Sequence, residues 1–369
     1  MHLYMRVCMV CWLFSQSMIT YAQRSDSLCV GACCCDTDPA PPAGIMMSHI
    51  HRKGEWMVSY RYMTMSMRGV MEGSSKISNA NVFSQPNNYV MSPQTMRMDM
   101  HMLMLMYGLT NRITLMAMLN YNYTTMTMTP FAAAMPAMPG MPAGQTMNPV
   151  MQTQGIGDLK ISAMYGILNT TNHQLLVNGG LSIPTGSVSL MGGSNSGYDN
   201  TRLSYTMQLG SGTWDLWPLI NYIYKQNRLS LSAQLQSIIR LGYNTVGYNL
   251  GNQYTGNLWA GYRWLQSWSS TLRLEAINSS GINGSDPNLY TLTEPAANYL
   301  NYGGTRISTY VGTSYRITQG TLKNNTLSAE VGIPIYQNYN GVQMANTWSL
   351  FATWTYMFHN PFESKHKHI

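Results

Sequence analysis

From residue 54 onward the chain keeps a two-residue rhythm, with apolar side chains at every second position over spans of about ten residues. Leu159, Ile161, Ala163, Tyr165 and Ile167 share one face, while Asp158, Lys160, Ser162 and Met164 share the other. Leu229, Leu231, Ala233 and Leu235 alternate with Ser230, Ser232, Gln234 and Gln236 in the same way, and Leu327, Ala329, Val331 and Ile333 oppose Ser328, Glu330 and Gly332. A strand with one oily and one wet face, repeated along a chain of this length, needs oil on one side and water or polar partners on the other. Strands of about 9 to 11 residues, tilted, meet that demand when they close into a barrel across a bilayer.

Composition agrees. Charged residues make up 9% of the 369, against roughly 25% in soluble domains. The chain carries 25 Tyr and 32 Gly, and beyond the extreme N-terminus it lacks the run of about 18 apolar residues that a membrane helix requires. The net charge of +7 comes from 21 Lys and Arg scattered through the chain, which argues against nucleic acid as a partner.

The spacing predicts twelve strands, near 54–68, 94–107, 111–124, 157–168, 173–184, 209–225, 228–240, 253–265, 268–278, 304–317, 323–335 and 347–358. The connections alternate long and short, as in up-and-down antiparallel outer-membrane barrels whose termini both lie in the periplasm. Residues 201–207 also look strand-like and are read as an extension of the strand through Gly210 and Gly212. The expected organisation is a signal peptide over 1–22, a Cys/Pro/His-containing periplasmic segment over 23–53, an all-β transmembrane barrel over 54–358, and a His/Lys-containing tail over 359–369. The expected surroundings are Gram-negative outer-membrane lipid, with the barrel-assembly machinery as partner during insertion. The last strand fits such insertion, since Trp348, Trp354, Tyr356 and Phe358 line one face.

Several stretches resemble one family: His49-Ile-His-Arg-Lys-Gly-Glu-Trp-Met-Val-Ser-Tyr-Arg-Tyr-Met63, Met98-Asp-Met-His-Met102, Met106-Tyr-Gly-Leu-Thr-Asn-Arg-Ile-Thr-Leu115, Gly155-Ile-Gly-Asp-Leu-Lys160 and Met207-Gln-Leu-Gly-Ser-Gly-Thr213. They are similar to the outer-membrane transporters grouped under the meta-pathway phenol-degradation name, in a Met-rich branch. The resemblance spans about 45–358 and implies a barrel that passes small solutes, aromatic compounds among them.

No nucleophile elbow, phosphate loop, dinucleotide fingerprint or His-Glu-x-x-His motif appears, so an enzyme is not expected. The inward positions expected to set selectivity are Arg61, Arg97, Asp99, His101, Asp158, Lys160, Arg263, Arg273, Glu275, Arg306, Arg316 and Glu330.

Of 32 Met, 28 lie within residues 1–164. Thioethers suit Cu(I), so a soft-metal protein is the competing expectation, with no cofactor otherwise required. Its candidate ligands are Cys29, Cys33, Cys34, Cys35, His49 and His51 before the barrel, and Met57, Met63, Met65, Met116 and Met118 pointing into the lumen. A Met-Pro loop through Met135, Met138 and Met141 is a further candidate. In the second strand the reading places Arg97, Asp99 and His101 inside and turns the row Met96–Met106 toward lipid, which leaves the longest methionine row out of any site.

Overall fold

A computed structural model describes residues 38–131, 148–192 and 201–359. The expected signal peptide, Cys29 to Cys35, the Met-Pro loop and the tail beyond His359 lie outside these residues. The wall is built from β1 (Glu55–Gly73), β2 (Met91–Gly108), β3 (Ile113–Pro130), β4 (Leu159–Asn169), β5 (His173–Ile183), β6 (Leu219–Gln226), β7 (Leu229–Leu241), β8 (Gln253–Arg263), β9 (Trp268–Ser279), β10 (Gly304–Arg316) and β11 (Asn325–His359). Each pairs antiparallel with its neighbours, β7 pairs β8, and β11 pairs β1, so the sheet closes on itself. No helix among the described residues is long and apolar enough to cross a membrane; the strands supply the crossing.

An all-antiparallel circuit cannot close on an odd number of staves, and β11 resolves the parity. Its first arm pairs β10 through Tyr339, and its second arm pairs β1 from Tyr339 to His359. Hydrogen bonds from Met357 N to Asn324 O and from Trp354 Nε1 to Asn325 Oδ1 bring the two ends of the strand together. The chain reverses near Gly341, at φ +63°, where a side chain is disfavoured. Ten single strands and this hairpin make twelve staves. The loop expected over 336–346 is therefore strand almost to its tip.

Two staves are interrupted. The short strand Val150–Ile156 pairs with the upper half of β3, and β4 pairs with the lower half, the break falling at Gly157 and Asp158. Trp214–Leu216 and β6 likewise form one stave broken at Trp217 and Pro218, since proline cannot donate to the ladder. Each break turns a large or charged side chain inward, as Asp158 and Trp217 are both buried. The expected single strand over 209–225 is thus corrected. Residues 201–213 are not wall; Tyr205–Met207 is a short 3-10 turn with Leu203 and Met207 fully buried.

At the end holding Glu55 and His359 the turns are tight, and Asn227 takes φ +53° in the β6–β7 turn. Trp264 and Trp268 flank another of these turns and bond outward-facing hydroxyls, Trp264 Nε1 to Ser270 Oγ at 3.1 Å and Trp268 Nε1 to Thr313 Oγ1 at 2.7 Å. This arrangement suits an aromatic girdle at a membrane interface. Between the girdle and the long loops, Leu105, Leu115, Leu231, Leu258, Leu272, Val311 and Ile333 are exposed around the wall. Such a belt would be intolerable in water and matches a lipid-facing band.

Candidate functional site

The lumen is occupied by the protein's own chain. Residues 38–53, expected as a segment outside the barrel, enter it, which corrects that expectation for this stretch. Pro39, Pro41 and Pro42 prevent helix, and the segment runs as irregular chain with a turn closed by Ile45 N donating to Pro42 O. Irregular backbone inside a closed barrel leaves many of its N–H and C=O groups without partners in its own chain, so the wall must satisfy them. Ala40 N donates to Ser269 Oγ on β9, Thr353 Oγ1 on β11 to Ala43 O, Gln234 Nε2 on β7 to Met46 O, and His51 N to Thr114 Oγ1 on β3. Lys225 on β6 ion-pairs with Asp38.

The tightest grip is on Gly44 and Ile45. Arg273 Nε and Nη2 donate to the two carboxylate oxygens of Glu330 at 2.9 and 3.1 Å, and Nη1 reaches Asn257 Oδ1 at 2.9 Å and Glu275 Oε2 at 2.8 Å. Glu330 Oε2 accepts from Gly44 N at 2.7 Å, while Arg61 Nη2 donates to Ile45 O at 2.6 Å. The Arg273 guanidinium also lies 3.8 Å from the Tyr310 ring centre. A Cβ on residue 44 would fall 2.5 Å from Arg273 Nη2 and 2.8 Å from Glu330 Oε2, two atoms pinned by their own bonds, so only glycine fits. Arg273 and Glu330 are each 1% exposed. Buried charges of this kind persist because the bidentate pair and its added hydrogen bonds replace the lost water.

Arg61, Arg273, Glu275, Arg306 and Glu330, all expected inward, converge here; Arg306 Nη2 stands 3.9 Å from Glu275. Lys160 also points inward, 4.8 Å above the Trp217 ring. Arg263 and Arg316 are half-buried at strand ends nearer the tight turns. Asp158 is inward but lies in the stave break rather than on a strand.

Arg97, Asp99 and His101 are a correction. Directly opposed antiparallel residues share a face, and Met102 opposes Arg61, Met100 opposes Met63, and Met98 opposes Met65. The row Met96–Met106 therefore faces the lumen, and the three polar residues face outward with Leu103 and Leu105. Outside, Arg97 pairs with Asp99 at 2.9 Å, Tyr62 donates to Asp99 at 2.5 Å, and the Tyr60 hydroxyl lies 2.7 Å from His101 Nδ1. Polar residues on one side of a strand do not by themselves identify the wet side when hydroxyls of the neighbouring strand satisfy them.

Met57, Met63, Met65, Met116 and Met118 point inward as expected. His49 and His51 lie in the inserted segment with ring centres 4.8 Å apart, and His51 Nδ1 is 3.3 Å from Glu55. Burial, then the neighbouring His51, pushes the His49 imidazole down to about 3, which keeps it neutral. Among the described residues, no three His, Cys, Asp or Glu side chains are grouped to hold a metal.

The opposite mouth is covered by a loop that sequence reasoning missed. Asp158 accepts from Gly186 N at 3.0 Å and from Ser211 N and Oγ, both at 2.8 Å, drawing the two ends of residues 186–211 into the barrel. The available signal was an acid set beside Gly155 and Gly157, where a strand rarely places one. Above it, Arg202 pairs with buried Asp286 at 2.9 Å, and Tyr205 stacks edge-on against Tyr248 and Tyr302. Glu294 is buried with Oε2 unpartnered, and desolvation raises its pKa to about 7. A carboxyl raised in this way stabilises the covered mouth below about 4.5 and loses that contribution as pH rises through 7, on the order of 3 kcal/mol in all. Protection factors over 201–207, with the intrinsic exchange rate at each pH divided out, are expected to be higher at pH 5 than at pH 8, and Glu294→Gln to remove that difference.

The class follows from closed antiparallel staves, an apolar outer belt and a polar, filled interior: the fold is that of a bacterial outer-membrane β-barrel. No family model and no curated protein matches this chain. Among solved structures it is similar to an outer-membrane channel from Pseudomonas putida F1, with a TM-score of 0.56 at 15% identity over 85% of this chain and 98% of that one. The toluene transporter TbuX of Ralstonia pickettii has a TM-score of 0.40 at 12% identity, covering 87% and 92%. The transport unit of the autotransporter AIDA-I from Escherichia coli has 0.44 at 9%, covering 86% and 93%. The likeness in fold rests on the first of these.

Proposed function

We propose that this protein is an outer-membrane channel for passive passage of small solutes, held closed in the state described by its own N-terminal segment. The observation that carries the reading is the Arg61–Arg273–Glu330 clamp on Gly44 and Ile45. A barrel serving only as a membrane anchor has no use for a removable backbone segment bonded through side chains rather than through the sheet ladder. In this reading the chain ends lie on the periplasmic side, the covered mouth faces outward, and the charges of the clamp select solutes by sign once the segment moves. Small aromatic compounds are the solute class implied by the family resemblance. No catalytic centre is assigned.

Liposome swelling tests this. Full-length protein is expected to admit arabinose slowly, and Arg61→Ala, which removes the bond to Ile45 O, to admit it several-fold faster. Equal rates near that of empty liposomes for both proteins would count against a channel.

A further inference from the structure

On β1, β2 and β3 methionine is sorted by face. Between Trp56 and Met67, Met96 and Met106, and Ile113 and Met128, the inward apolar residues are all Met: Met57, Met63, Met65 and Met67, the six of β2, and Met116, Met118, Met126 and Met128. The outward apolar residues of the same stretches are Leu, Ile, Val, Ala, Trp and Tyr, without one Met. Leu and Met have similar volumes and exchange readily in packed sites. An apolar filler would therefore be spread over both faces. Nor does facing inward by itself call for Met, because Leu176, Leu219 and Ile223 are buried inward on β5 and β6. What the wall selects is sulfur.

The register lines the sulfurs up. Met67, Met96, Met126 and Met151 oppose one another in turn across four adjacent staves, and so do Met357, Met57, Met106 and Met116 lower in the barrel. Opposed side chains start about 5 Å apart at Cβ, and three rotatable bonds let neighbouring thioethers close on one point. The upper row is roofed by Met207 of the inserted loop and the lower by Met47 of the N-terminal segment, both fully buried. Each row is therefore a largely buried, thioether-rich pocket, with Met67 and Met357 half-buried at one end and Leu203 packed against the upper row. Such a donor set excludes hard cations and suits a soft monovalent ion.

We infer that the inward methionine wall binds a soft monovalent cation, Cu(I) or Ag(I), with the row Met67–Met96–Met126–Met151 as a site. The inference rests on the channel reading only in placing the wall along a solute path; the binding itself does not require transport.

The test uses the full mature chain in detergent, in a chloride-free buffer, with Cys29, Cys33, Cys34 and Cys35 changed to Ser so that thiolates do not compete. Ag(I) titration followed by calorimetry is expected to show at least one tight equivalent that is lost when Met67, Met96, Met126 and Met151 are all changed to Leu. Equal stoichiometry and affinity in the folded variant would overturn the inference. Should the fourfold variant not fold, methyl-labelled Met spectra of the unsubstituted wall decide: the methyls of that row are expected to shift with Ag(I). Shifts confined to Met135, Met138 and Met141, or shifts with toluene but not with Ag(I), would overturn it. Swelling measured on the same samples separates the two readings, since solute passage without Ag(I) binding removes the inference and leaves the channel.

Discussion

Glu330→Gln is expected to open the barrel and destabilise it at once. The substitution keeps the shape but leaves Arg273 buried opposite a neutral amide, whose single oxygen cannot take the place of both carboxylate oxygens that accept from Gly44 N and the guanidinium, and whose NH2 must face one of those donors. Breaking a buried pair by neutralising one partner costs about 3–5 kcal/mol. Glu275 remains on Nη1 at 2.8 Å and moderates the loss toward the lower end. Arg61 and Arg273 then stand near one another around a backbone whose anchor is weakened, so the N-terminal segment is released more often. In planar bilayers the variant should show frequent open events where the unaltered protein shows few, together with a lower temperature of loss of the compact gel band. A variant as closed and as heat-resistant as the parent would mean that the clamp holds nothing.

Asp158→Ala is expected to release the other obstruction. Three hydrogen bonds from Gly186 and Ser211 converge on this carboxylate, and Ser211 Oγ lies a further 3.2 Å from Asp215 Oδ2. Removing a buried charged acceptor strands the backbone N–H groups of Gly186 and Ser211, at about 1–3 kcal/mol for each that finds no water, while the Ser211 hydroxyl keeps Thr213 O and Asp215 as acceptors. Gly186 and Gly210 pack backbone to backbone at this point, a contact that needs the loop ends drawn together. The inserted loop should become sensitive to protease between 186 and 211 in intact proteoliposomes, while the wall stays folded. Resistance equal to the parent would show that the loop is held by Met207 and Tyr205 alone.

The barrel was readable because a bilayer imposes one rule on every strand, and that rule is written at every second residue. The tight turns, the strands near 228–240, 253–265, 268–278 and 304–317 and the inward set around Arg273 all follow from it. The β2 facing was not readable from its own strand. Met96–Met106 alternates with Arg97, Asp99, His101, Leu103 and Leu105, which mixes polar and apolar on one face, and only the register against Arg61 decides the matter. The inserted segment left a fainter trace still. Pro39-Ala-Pro-Pro-Ala-Gly44 reads as a tail, because what holds it is an excess of lumenal charge contributed by β1, β9 and β11, residues separated from it by up to about three hundred positions. Residues 201–213 failed for the opposite reason: their local pattern is strand-like, and a single acid, Asp158, takes them out of the wall.

The measurement that bears most directly on the whole account is single-channel conductance of the full mature chain beside a form lacking residues 39–50, both shown to be folded by heat-modifiable mobility. The account predicts rare, small events from the full chain and a steady ohmic step from the shortened one. A full chain that conducts as freely as the shortened form would contradict it, because residues 39–50 would then not be what closes the barrel.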